Sequence, residues 1–151
     1  MSETPADTVA GERIIVGVDG SENSQEALRQ AAQLSQALAA PLEVLVCWEE
    51  PAMYGAAYGY IPEVDPDAFL AESQRMLETT LEEVFGERRP GNLTTRLLHG
   101  RPVEVLIEES KNARILVVGR RGVGGVLGMV MGSVSSALVA HAHCSVLVVR
   151  H

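Results

Sequence analysis

The sequence predicts a single-domain α/β protein with an open, mostly parallel five-stranded sheet in the order 3-2-1-4-5 and helices on both faces. Three observations carry this expectation. Five short runs of β-branched and aliphatic residues alternate with segments of helical period, the pattern of repeated strand–helix–strand units. Runs such as Leu42–Trp48 are apolar along most of their length, which suits strands covered on both faces. The 151 residues fit one core of this kind, and no repeat, low-complexity tract or linker divides them.

The elements follow in order. Residues 1–11 read as a polar N-terminal tail, with Glu3 and Asp7 and no apolar stretch of a signal peptide. Arg13–Val18 is a compact β-branched strand that ends at the turn Asp19-Gly20-Ser21. Ser21 is a natural N-cap for a helix over 22–40, in which Ala27, Ala31, Leu34 and Leu38 recur at helical spacing and Pro41 closes the run. Leu42–Trp48 is the second strand. Residues 51–65 form a loop that holds all three tyrosines, Tyr54, Tyr58 and Tyr60. Asp65 caps and Pro66 opens a helix that carries Leu70, Leu77, Leu81 and Val84 on one face, with Gly86 just past its end. Leu93–His99 is more polar and is placed at a sheet edge. Pro102 opens a short helix with Val103, Leu106 and Ile107, and Ile115–Val118 is the fourth strand. A last helix over 133–142 and a last strand over 145–150 complete the pattern.

Composition narrows the partners. The formal net charge of −8 disfavours a nucleic-acid backbone, whose binding rests on Lys and Arg neutralising phosphates. The two cysteines, Cys47 and Cys144, form neither a disulfide framework nor a zinc set, which points to a reducing, cytoplasmic setting. No apolar run approaches membrane-spanning length.

The chemistry gathers where the fourth strand ends. The sequence continues Gly119-x2-Gly122-x9-Gly132-Ser133. Glycines at the carboxyl end of a strand let the backbone approach a phosphate. Gly132-Ser133-Val134-Ser135 then opens a helix whose free N–H groups and dipole favour an anion, and the hydroxyls of Ser133 and Ser135 can add donors. Arg120 and Arg121 concentrate positive charge at this point in an acidic chain. A glycine-rich loop can also be mere tight packing. Here, however, the first strand ends in Val18-Asp19-Gly20-Ser21, and in a doubly wound sheet that end lies beside the end of the fourth strand, in the crevice where such folds bind ligands. Asp19 can accept from a ribose hydroxyl or hold a Mg²⁺ bridging phosphates, or it can serve the turn by accepting from nearby backbone groups.

Over nearly its whole length after the tail, the chain resembles the universal stress proteins. The residues that carry the resemblance are the opening IIVGVDGS, the segment GRPVEVLIEESKNARILVVG, the complete Gly-x2-Gly-x9-Gly-Ser motif, and the ending HAHCSVLVVR. The motif is the mark of the ATP-binding branch. The resemblance implies a Rossmann-like nucleotide-binding domain over residues 12–151 that binds ATP, with Mg²⁺ as a further possibility. It implies that Gly17, Val18 and Asp19 lie under the nucleotide, that the backbone of Cys47 meets the adenine edge, and that Val118 lines the base pocket. It implies that Gly119, Arg121 and Gly122 run along the ribose and phosphates, while Gly132, Ser133, Val134 and Ser135 hold the phosphate tail. The last strand, with Val146, Val148 and Val149, looks like the family's dimer-forming edge, so a homodimer is expected.

Other nucleotide folds leave signatures that this chain lacks. Neither Gly-x-Gly-x-x-Gly after the first strand nor Gly-x4-Gly-Lys-[Ser/Thr] occurs. His141, His143 and Cys144 do not make a metal set, because alternate strand residues point apart and no further ligand is in reach. With one carboxylate, hydroxyls and arginines but no His or Lys placed as a base, the site reads as a binder's rather than a dedicated enzyme's, and the resemblance implies a regulatory, stress-response role. The alternative is a weak ATPase or a protein that phosphorylates itself on a motif serine.

Overall fold

The computed structural model describes residues 11–50, 65–120 and 132–150. The tail over 1–10, the tyrosine-rich segment 51–64, and the predicted site residues Arg121 and Gly122 lie outside the described residues.

The strands are β1 (Ile14–Gly17), β2 (Leu42–Trp48), β3 (Leu93–His99), β4 (Ile115–Gly119) and β5 (Ser145–Val149). The helices are α1 (Glu22–Leu38), α2 (Pro66–Phe85), α3 (Pro102–Ser110) and α4 (Ser133–His141). All four pairings are parallel, and the order is β3-β2-β1-β4-β5, as the sequence predicts. Alternation along the strands sorts the core into two layers. Ile14, Val16, Val44, Val46 and Val117 face α1 and α2 and pack with Leu28, Ala31, Leu77 and Leu81. Ile15, Leu45, Leu116 and Val118 face the other way and pack with Leu106 and Leu138 of α3 and α4.

Local chemistry sets the boundaries. Ser21 caps α1 by accepting from the Ser24 amide, and Asp65 caps α2 by accepting from the Asp67 amide. The first helix stops at Leu38, two residues before the predicted end. Ala39 turns into the left-handed region at φ 51°, and the Ala40 amide closes back on the Ser35 carbonyl at 3.0 Å. The ladder of β1 is shorter than predicted at both ends, although the Val18 amide still donates to the Leu45 carbonyl at 3.0 Å.

The one departure from an apolar β2 is Glu43, which is only 6% exposed. It sits at the amino end of the sheet inside a closed ring of four ion pairs. Glu43 accepts from Arg13 at 2.9 Å and pairs with Arg96 at 2.8 Å; Glu109 of α3 pairs with Arg13 at 3.2 Å and also with Arg96. Burial works against the Arg96 charge, but its hydrogen bonds to Glu109 and Glu43 outweigh burial and raise its pKa. The ring ties the starts of β1 and β2 to β3 and α3. Removing the Glu43 carboxylate leaves Arg13 and Arg96 to share Glu109 alone, with one positive charge unneutralised in a partly desolvated place, whereas the Glu78–Arg89 pair is exposed. Glu43→Gln is therefore expected to lower the unfolding free energy by about 3 kcal/mol, measured by urea denaturation, while Glu78→Gln leaves it nearly unchanged.

Candidate functional site

The carboxyl ends of β1 and β4 lie side by side at the middle of the sheet, because Ile14–Val16 register with Ile115–Val117. The chain winds from β1 toward β2 and β3 on one side and from β4 toward β5 on the other, so a crevice opens above this pair. Gly17, Val18, Val118 and Gly119 form its floor. Val18 and Val118 are each 5% exposed, and a Cβ at position 17 would stand 3.5 Å from the Val118 side chain. Cys47 lies on the neighbouring strand, two residues past the Gly17–Leu45 pair and so level with Asp19.

The predicted glycines separate by physical reason. A Cβ at Gly119 would stand 2.8 Å from the backbone of Asn23, so this glycine lets the first turn of α1 rest on the end of β4. Gly20 is required by its turn, at φ 85°, and a Cβ there would also press on Met76 at 3.1 Å. Gly132 is different. It is the N-cap of α4 at φ −72° and ψ 166°, an extended conformation that any residue adopts.

Around Gly132 the structure fixes the neck of the 121–131 segment. The Arg120 amide donates to Val149 and the Gly132 amide donates to Arg120, both at 2.8 Å. Among the described residues no side chain caps α4. The amides of Ser133, Val134 and Ser135 belong to the first turn, where no intrahelical acceptor is available. Ser133 is exposed, whereas Ser135 is 3% exposed and donates its hydroxyl proton to the Gly119 carbonyl at 2.6 Å. Nearby, Arg120 Nε is buried and has no hydrogen-bond partner among the described residues.

Asp19 serves its own turn. One carboxylate oxygen accepts from the Ser21 amide at 3.0 Å and from the Ser21 hydroxyl at 2.6 Å, while the Asp19 amide donates to Ser24 Oγ. Cys47 is half-buried, and burial, followed by the charges of Glu109 and Glu49, pushes its thiol up to about 12. At neutral pH it stays protonated and is no nucleophile.

Beside the crevice lies a pocket of about 280 Å³ at the end of β2. Cys47, Trp48 and Glu49 line it from the strand, and Phe69, Glu72, Ser73 and Met76 line it from α2. Apart from Cys47, none of these residues is a site residue in the sequence reasoning, which reads Glu72 as part of a solvated acidic face. The spacing of Phe69, Ser73 and Met76 along one helical face is the available signal, and it reads equally as core. The apolar floor suits a flat ring, and the carboxylates of Glu49 and Glu72 repel a phosphate tail but accept from an amino group. Of the sequence-predicted residues, the structure thus brings Gly17, Val18, Val118 and Gly119 to one crevice floor. Asp19 stands in the turn beside it, Cys47 one strand out, and Gly132, Ser133, Val134 and Ser135 at the α4 start, which Ser135 bonds to Gly119.

Comparison with known proteins agrees with this architecture. Residues 11–150 match the model of the universal stress protein family. The chain is 32% identical to universal stress protein Rv1996 of Mycobacterium tuberculosis over 90% of its own length, and it spans about half, 47%, of that relative. Universal stress protein UspA from Lactobacillus plantarum superposes with a TM-score of 0.72 at 25% identity, covering 93% of this chain and 99% of that one. A universal stress protein solved in complex with cAMP superposes with a TM-score of 0.57 at 26% identity, covering 93% and 97%. With a sheet order, a glycine–serine helix start and a near-complete match that all coincide, the chain belongs to the universal stress protein family.

Proposed function

We propose that the protein binds an adenine nucleotide, ATP, in the crevice above β1 and β4 and acts as a cytoplasmic regulatory or stress-response homodimer. The observation that carries this reading is the start of α4. Among the described residues its first-turn amides have no capping side chain, and its N-cap glycine is not demanded by backbone torsion. A phosphate tail supplies the acceptors these amides lack, and the missing Cβ at Gly132 lets it approach. Arg120 Nε, a buried donor without a partner among the described residues, adds a local need for an acceptor. The acid-lined pocket beside Trp48 suits the base and its amino group, with the Cys47 backbone at the adenine edge.

In this reading Gly17, Val18 and Val118 underlie the nucleoside, and Ser133 offers the free hydroxyl. Arg121 and Gly122 take the ribose and phosphate positions that the family motif gives them. Asp19 turns toward the ribose or a Mg²⁺ carried with the phosphates; its turn already engages one oxygen. The cAMP complex of a relative supports an adenine ligand. The dimer is assigned to β5, an edge strand whose Val146, Leu147 and Val148 are only half-buried, beside the exposed Val139 of α4. No helix of the described residues is long and apolar enough to cross a membrane.

Two measurements test the binding claim. Protein purified without added nucleotide, denatured and examined by mass spectrometry, is expected to release ATP or another adenine nucleotide. An empty extract, together with no binding on titration with ATP, contradicts the reading. The second measurement compares glycines. Gly132→Val is expected to abolish measurable ATP binding by calorimetry while costing only about 1 kcal/mol of stability, the usual difference between a glycine and an aliphatic residue at an N-cap. Gly119→Ala is expected to cost about 1–3 kcal/mol by forcing α1 off β4. Unchanged affinity in Gly132→Val would refute the assignment of the phosphate tail to α4.

A further inference from the structure

The motif serines divide their labour, and the structure shows which does what. We infer that Ser135 is a positioning residue: its hydroxyl staples the start of α4 to the end of β4, and so aims the first-turn amides into the crevice rather than touching the ligand. This inference rests on the nucleotide-binding reading of the same site.

A serine hydroxyl carries one proton. That of Ser135 goes to the Gly119 carbonyl at 2.6 Å, in a place where the residue is 3% exposed. The hydroxyl therefore has no proton to give an incoming anion, and the ligand meets Ser135 through its backbone amide alone. Gly119 is the last residue of β4 and pairs in register with Val149 of β5. Two backbone bonds continue the connection, from the Gly132 amide to Arg120 and from the Arg120 amide to Val149. Ser135, Gly132 and Arg120 thus form one short ladder that hangs the helix start on the β4–β5 edge. A serine in the first turn often folds back to bond its own helix; here it reaches sixteen residues back in the chain. Ser133, exposed two residues earlier, is the hydroxyl left to face the ligand. The same division bears on self-phosphorylation, because Ser135 is shielded and Ser133 is not.

Amide hydrogen exchange on the nucleotide-free protein tests the staple independently of any ligand. Ser135→Ala is expected to speed exchange at Gly132 and Arg120 about five- to tenfold, the loss of one hydrogen bond. Ser133→Ala is expected to leave those rates alone, and Ser135→Thr, which keeps the hydroxyl, to restore them. In calorimetry, Ser135→Ala is expected to weaken ATP about fivefold and adenosine, which lacks the phosphate tail, less. Should Ser135→Ala prove insoluble, Ser135→Cys, with a weaker donor of similar size, carries the same exchange test. Unchanged exchange in the nucleotide-free Ser135→Ala or Ser135→Cys protein would overturn the inference. If the wild-type protein fails to bind ATP while the exchange pattern is as expected, the staple stands and the nucleotide reading falls.

Discussion

Everything at the carboxyl edge of the sheet depends on β1 pairing with β4. That pairing sets the ends of two strands side by side while their following segments leave in opposite directions, α1 to one face and α4 to the other. Gly119 is what lets the gap between them stay narrow. With any side chain at that position, the first turn of α1 would meet it at Asn23, and the turn holding Asp19 and Ser21 would move with the helix. The floor of the crevice, the turn over it and the helix start beside it are therefore one packing problem with one solution.

The two ends of the sheet handle charge in opposite ways. At the amino end, Arg13, Glu43, Arg96 and Glu109 satisfy one another in a closed ring, which locks strands of different sequence neighbourhoods together and leaves little for a ligand to do. At the carboxyl end, donors are left over among the described residues: the first-turn amides of α4, the exposed Ser133 and the buried Nε of Arg120. In a chain of net charge −8, donors collected at one point make that point suited to an anion. The neighbouring pocket carries its carboxylates, Glu49 and Glu72, at the end of β2 and on α2.

Much of this was legible in the sequence, for reasons that differ by element. The strands and the helix starts could be read because β-branched runs, Ser21, Asp65, Pro66 and Pro102 are local signals whose meaning needs no tertiary contact, whereas the strand order follows from the doubly wound class and from no local signal. The end of α1 could not, because a left-handed alanine at position 39 leaves no mark on composition. Glu43 hides inside an apolar run, its partners Arg96 and Arg13 lie on β3 and just before β1, and Glu109 of α3 closes the ring, so only the fold reveals it. The glycines of the motif looked alike as letters. Their surroundings separate Gly119, fixed by the backbone of Asn23, from Gly132, fixed by no torsion. In the same way Ser133 and Ser135 read as equal donors until the Gly119 carbonyl claims the proton of one of them.

The central claim is that an anionic nucleotide rests on the first turn of α4, and the amide resonances of that turn report on it most directly. In a ¹H–¹⁵N titration with ATP, the account predicts that the largest shifts fall on Ser133, Val134 and Ser135, with further shifts at Val18 and Asp19. Shifts confined to Trp48, Phe69 and their neighbours, or no shifts at millimolar ATP, would contradict it.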